Sequence, residues 1–330
     1  MAVNYSARLS KWFAIPNIAD IVSQLPKPET PMKDLFFANR QKQRSTAFVT
    51  VEEIQRITGA VPLVKRGSRS YPLDSGSKTR QLIEVDGFVL SKFISAADLN
   101  TLLSLNDEES VRAWLTENTE YLRDRISEST ETLICQALTG KIEYPIASDG
   151  AITGKEEIDL GDPHSVTTAS IKKNDIGQLK NWLEARLTAH RQKAGSASTP
   201  VNFVGATVYD EIVSTMTSKD NLPIVWTENG MKLFGKYDVR PLDRTYTLPG
   251  AQNPTSILGA NESRIIDIAN PGDLLYLAVD DIDGKFAAVP FYEKTINTED
   301  PSGIKILAHS KPFPAFAMKR QSKQTVNFTN

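Results

Sequence analysis

Three histidines and one cysteine are all that the chain offers to nucleophilic or transition-metal chemistry: His164, His190, His309 and Cys135. The histidines stand far apart in sequence, none in a pair at ligand spacing, so each is expected to be a surface or capping side chain. No Ser–His or Cys–His grouping supplies a nucleophile with its base. Cys135 falls in an apolar helical pattern and is expected to be a small buried hydrophobe. A single cysteine excludes an internal disulfide and suits a reducing compartment. No catalytic, cofactor-binding or metal-ligating residue is therefore expected, and no cofactor.

Two segments imitate phosphate loops. In Gly150-Ala151-Ile152-Thr153-Gly154-Lys155-Glu156 three residues separate the glycines where four are needed, and Glu156 stands where a magnesium-binding hydroxyl belongs. Gly76-Ser77-Lys78-Thr79 separates its glycine from its lysine. Neither opens a helix after a strand, which is what makes backbone amides converge on phosphate. Asp280, Asp281, Asp283 and Gly284 resemble half of a calcium loop but lack the distal bidentate glutamate. A hairpin turn between strands Leu274–Val279 and Phe286–Val289 explains them better, because Asp and Gly tolerate positive φ.

What remains is charge, placed in three blocks. Residues 1–45 carry seven basic side chains (Arg8, Lys11, Lys27, Lys33, Arg40, Lys42, Arg44) against three acidic ones, and three prolines between 26 and 31 favour extended chain there. Residues 65–80 hold Lys65, Arg66, Arg69, Lys78 and Arg80 against Asp74 alone. With few apolar residues, that segment cannot bury itself in its own domain and must find a partner or stay unstructured. Residues 107–139 carry eight acidic side chains against Arg112, Arg123 and Arg125. Only Tyr71 lies among the basic residues of the second block, so the stacking aromatics of a single-strand nucleic-acid groove are missing.

The elements that must position these blocks read as follows. Phe48–Val51 and Gln81–Val85 are strand patterns flanking the basic segment. A helix over 107–139 is signalled by the Asn106/Glu109 capping box, by apolar residues at Val111, Trp114, Leu115, Leu122, Ile126, Leu133 and Leu138, and by Gly140 as its stop. Strand pieces follow at 141–144 and 157–160. A second amphipathic helix covers about 175–193, then come a strand at 201–204, a short helix at 206–217 and hairpin strands around Asn229-Gly230. A polar loop fills 243–263, and more strand lies beyond 298. The class is α+β.

The whole is ordinary in composition, at 40% hydrophobic and 24% charged with a net charge of −2 over 330 residues, enough for two or three structural units. That balance argues against a surface devoted to nucleic acid. No run of 18 apolar residues predicts a membrane span, and no signal peptide is evident.

A basic extended segment and an unsupported hairpin ahead of one long acidic helix are how shell subunits grip their neighbours. In this order the chain resembles the major capsid proteins of lambda-type tailed phages, the protein E group. The motifs carrying the resemblance are Asp34-Leu35-Phe36-Phe37, Thr50-Val51-Glu52-Glu53-Ile54, Ala60 to Gly67, Phe93 to Leu99, Leu138-Thr139-Gly140-Lys141-Ile142, Ile158-Asp159-Leu160-Gly161, Glu299 to Gly303 and Lys311-Pro312-Phe313-Pro314. The resemblance implies the tailed-phage major capsid fold, divided into an N-terminal arm (1–45), an extended loop (46–92), a peripheral domain (93–173) with spine helix 107–139, an axial domain (174–290) and a return to the peripheral domain (291–330). It implies no catalysis and self-assembly into an icosahedral shell of pentamers and hexamers enclosing double-stranded DNA. Implied partners are a separate scaffolding protein, a portal protein and, in some relatives, a decoration protein. DNA would be touched nonspecifically and no membrane is involved. The expected place is the virion capsid, with assembly in the host cytoplasm. An encapsulin-like nanocompartment shell or a phage tail or neck protein is the alternative.

In that layout the extended loop of one subunit crosses the spine helix of the next. Lys65, Arg66, Arg69, Lys78 and Arg80 are therefore expected to meet Glu117, Glu120, Asp124 and Glu128 across the subunit boundary.

Overall fold

In the computed structural model, which describes residues 13–50, 82–104, 108–148, 150–194, 199–218 and 224–330, the periodic run after residue 107 is one helix, Glu108–Leu138. At 1.5 Å per residue it is about 46 Å long. Three devices end it. Gly140 takes φ +104°, and a Cβ there would lie 2.7 Å from the carbonyl oxygen of Gly161. The amides of Thr139 and Gly140 bond back to Gln136 O (2.9 Å) and Ala137 O (3.0 Å). Finally, the buried guanidinium of Arg264 donates to the carbonyl of Leu138, placing a cation where the helix dipole is negative. Asn106, half of the expected capping box, lies outside the described residues.

The described chain divides into two units. One draws on segments within 1–48, 84–134 and 274–314, the other on segments within 49–83, 135–273 and 315–330. The tail expected over 291–330 is thus shared between them.

The first unit is built on a three-stranded antiparallel sheet with Ser302–Ser310 in the middle, flanked by Tyr292–Glu299 and Phe88–Ser95. Strand alternation sends Ile304, Ile306 and Ala308 inward. There they meet Ile94, Leu99 of helix Ala96–Ser104, and Val111, Leu115, Leu122 and Ile126 of the long helix. Each fully buried side chain of this size contributes roughly 1.5–3 kcal/mol. Residues expected to form an arm carry two helices, Ile15–Gln24 and Pro31–Phe37, each with proline in its first turn, where the missing N–H costs nothing. Phe13, Ile18 and Ile21 join the same core. Strand Gln41–Gln43 then pairs in parallel with Leu274–Tyr276.

The second unit is a seven-stranded mixed sheet. Its order is His164–Lys172, Ser322–Thr329, Glu262–Asp267, Pro200–Val204, Tyr237–Pro241, Gly230–Leu233 and Ile224–Thr227. Helices Ile176–Ala194 and Ala206–Thr217 lay Leu179, Leu183, Leu187, Val208, Ile212 and Met216 against Val204, Met231, Val239 and Val326 of the sheet. The second helix forms part of the crossover between the parallel strands Pro200–Val204 and Tyr237–Pro241. Lys141–Ser148 and Ala151–Asp159 form a hairpin of their own.

The aspartate-rich turn is a correction. Leu274–Tyr276 is strand, but Phe286–Val289 is not, and 277–290 is a loop. Positive φ falls on Lys285 (52°) and Phe286 (55°), not on the aspartates. Asp281 instead accepts the amide of Gly284 at 2.8 Å, and Lys294 reaches Asp281 at 2.5 Å and Asp283 at 2.7 Å. Two lysines of the same unit thus take up the carboxylates that suggested calcium, Lys294 those of Asp281 and Asp283 and Lys311 that of Asp280 at 2.7 Å.

Candidate intersubunit surface

Glu117, Glu120, Asp124 and Glu128 occupy an arc of about 80° on the long helix, taking 100° per residue, so they share one outward stripe. Glu117 and Glu128 are exposed, Glu120 and Asp124 half-buried. Their freedom to meet a neighbour differs. Glu128 already holds Arg125 at 2.9 Å, and Asp124 lies 3.9 Å from Arg123. Glu117 and Glu120 have no cation within ion-pair distance among the described residues. The five basic residues expected opposite them, Lys65, Arg66, Arg69, Lys78 and Arg80, lie outside the described residues. At the base of that segment, Phe48–Thr50 and Leu82–Glu84 pair as a two-stranded sheet, and Phe48 and Leu82 are exposed.

The acidic face counted along the sequence is not uniformly available. Glu131 turns into its own subunit, where its carboxylate accepts the amides of Met32 (2.7 Å) and Lys33 (2.9 Å) in the first turn of helix Pro31–Phe37. Burial pushes the Glu131 carboxyl up despite these bonds, and burial likewise pulls the Lys33 ammonium down. Arg123 is buried as well and donates to the carbonyl of Pro26. Arg112 stands 3.8 Å from Asp20.

One element of the stripe was not legible along the sequence. Tyr121, half exposed between Glu120 and Asp124, has Lys92 above its ring at 5.4 Å and Arg125 at 5.2 Å. Lys92 arrives from the strand Phe88–Ser95, so cation–π contacts and acidic side chains alternate along the surface. On the second unit, edge strand Ile224–Thr227 exposes Val225 and Trp226, large apolar groups of the kind that mark contact with another chain.

The other motifs have structural settings. Gly150–Glu156 lies in a hairpin, with Gly150 at φ +82° in its turn and Lys155 paired to Glu157 at 2.5 Å. No helix begins there to hold phosphate. Among the described residues no group of three or more His, Cys, Asp or Glu side chains is arranged to hold a metal ion. Cys135 is buried, as expected. His164 sits 3.0 Å from the Lys193 ammonium, His190 is buried, and His309 leans on Tyr292. No helix among the described residues is long and apolar enough to cross a membrane.

The described residues form an α+β chain of two units, with one long helix and a pair of short strands flanking residues 51–81. A crystal structure described as that of a prophage capsid protein from Escherichia coli CFT073 superposes with a TM-score of 0.58 at 17% identity, covering 99% of each chain. The satellite phage P4 procapsid protein matches with a TM-score of 0.44 at 11% identity over 99% of each chain. A cyanophage A-1(L) capsid chain matches with 0.43 at 13% over 92% of this chain and 94% of that one. No curated protein sequence matches. The chain matches the phage major capsid protein E family over residues 15–320 and belongs to that family. It is a structural subunit of a tailed-phage capsid.

Proposed function

We propose that the subunit assembles with copies of itself into pentamers and hexamers that close an icosahedral shell around double-stranded DNA. A separate scaffolding protein and a portal protein would direct assembly in the host cytoplasm, and a decoration protein would cap the shell where one is made. The family match over residues 15–320 carries this reading. It is supported by Glu117 and Glu120, which have no ion pair among the described residues, and by the apolar groups left exposed at Val225 and Trp226. The basic tip of the loop, residues 65–80, would lie on the acidic stripe of the next subunit. Exposed pairs are worth about 0.2–1 kcal/mol each, so they set register and salt dependence while apolar burial supplies most of the affinity. DNA would be contacted through phosphates only, in a salt-sensitive and nonspecific way.

Expression of the chain alone and with its neighbouring genes, followed by sedimentation and negative-stain electron microscopy, tests this. Closed shells, or rings of five and six, are expected. A compact monomer under every salt and scaffold condition would overturn it.

A further inference from the structure

Helix Ile176–Ala194 covers the seven-stranded sheet with apolar side chains, and Arg186 is the exception. It is 2% exposed, and its guanidinium lies across two strands. One nitrogen donates to Ser322 Oγ (3.2 Å), the other to the carbonyls of Ser263 and Ser322 (both 3.1 Å) and to Ser263 Oγ (3.5 Å). Its Nε–H has no partner among the described residues. No carboxylate lies within ion-pair distance of it among those residues either. Burial pulls its pKa down to about 10, so it stays a cation at neutral pH. Beside it Asn202 is 6% exposed; its Oδ1 accepts from Ser263 Oγ at 2.7 Å and its amide nitrogen has no partner among the described residues. Two buried donors without acceptors among the described residues, and a buried cation held by neutral groups alone, are costly.

Arg186 and Asn202 line the same open cavity, about 310 Å³ in volume. That is at the lower end of the roughly 300–1,000 Å³ of small-molecule sites. One wall is apolar, from Leu183, Leu187 and Ile265, and the rim carries Arg191, Lys232 and Lys236. Of the carboxylates nearby, Asp238 is held by Arg240 at 2.9 Å and Glu184 by Lys236 at 2.8 Å, while the buried Asp267 accepts the amide of Thr199 at 2.9 Å and lies 3.9 Å from Arg320. Arg191 and Lys232 have no ion pair among the described residues. The field in the cavity is therefore positive, with an apolar surface beside it.

We propose that this cavity binds a small amphiphilic oxyanion, a phosphate ester or carboxylate on a short apolar body. The anion faces Arg186, Arg191 and Lys232, and the apolar body rests on Leu183, Leu187 and Ile265. The site would compensate the buried guanidinium, and it does not depend on shell assembly.

Calorimetric titration of the full chain in a phosphate-free, low-salt buffer tests it, with hexyl phosphate, hexanoate, inorganic phosphate and hexanol as probes. Saturable binding of hexyl phosphate or hexanoate, about tenfold or more tighter than inorganic phosphate and absent for hexanol, is expected. Whichever of the two binds tighter identifies the head group. The rim variant Arg191→Ser/Lys232→Ser, whose changes are on exposed residues, should weaken binding about tenfold or more without changing the melting temperature of the free protein. Arg186→Met should abolish it. No saturable binding of either amphiphile up to about 10 mM, binding unaltered in the rim variant, or inorganic phosphate binding as tightly as the amphiphiles would each overturn the proposal.

Discussion

The hydroxyl of Thr119 on the long helix donates to Oε1 of Glu293 at 2.9 Å, joining two buried residues 174 positions apart. The other oxygen, Oε2, is buried without a partner among the described residues. A carboxyl group therefore faces the packing between the long helix and the edge strand Tyr292–Glu299. Burial pushes it up to about 7, a rise that the hydroxyl bond only partly offsets.

The sign of the resulting pH dependence follows directly. Below pH 4.5 Glu293 is protonated in both folded and unfolded chain. As pH rises toward 7 the unfolded chain loses the proton and the folded chain keeps it, so stability falls, by up to about 3 kcal/mol on the far side of 7. We expect hydrogen exchange of the long-helix amides around Thr119 to quicken between pH 5 and 8, after correction for intrinsic rates. Glu293→Gln, which keeps the shape and cannot ionise, should flatten that dependence. A wild-type profile already flat would count against this account.

His190 in the second unit tilts the other way. Burial holds it down to about 4. Its contribution is complete above the unfolded value of 6.5 and is lost as pH falls through 4. Exchange from strand Pro200–Val204 should therefore quicken on acidification, and His190→Gln should remove the change. The two substitutions together separate the responses of the two units within one chain.

Glu131 offers a test of local order. Its carboxylate is the acceptor for Met32 and Lys33 amides that would otherwise be orphaned at a helix start. Glu131→Ala should cost about 1–3 kcal/mol, seen as faster exchange and readier proteolysis of residues 31–37. The far stripe at Glu117 should be unaffected.

The intersubunit charges are tested by reversal. Arg66→Glu with Arg69→Glu should cut the yield of closed shells, and Glu117→Arg with Glu120→Arg in the same chain should restore part of it. Repulsion between like surface charges is screened by salt, so the loss should deepen as salt is lowered, where that repulsion acts over a longer range. Unaltered yield in the first variant would remove the loop-to-helix pairing.

The sequence disclosed what local chemistry encodes. Helix 206–217 emerged at the predicted bounds, the strand ending at Val204 began one residue early, and the long helix fell within a residue at each end. It disclosed less where the prolines between 26 and 31 were read as favouring extended chain: Pro31 opens a helix, in a first turn where proline is well tolerated. Contacts between distant residues left no local trace. Arg264 at the end of the long helix, Lys92 over Tyr121, and Glu131 under Met32 are each set by the tertiary fold. The acidic side chains of 108–131 lie on one helix, yet counting charges could not tell that Glu131 accepts two backbone amides of its own unit while Glu117 has no ion pair among the described residues.

Strand His164–Lys172 sits at the edge of its sheet with Ser322–Thr329 as its sole neighbour there, paired in parallel. The two are separated by about 150 residues of chain, which at a synthesis rate of about 5–20 residues per second occupy roughly ten seconds or more. Glu262–Asp267 is made within that interval, and Ser322–Thr329, which stands between it and His164–Lys172 in the sheet, comes last. Until then the strand edge that this pairing covers stays open, and open strand edges are the places where chains associate wrongly.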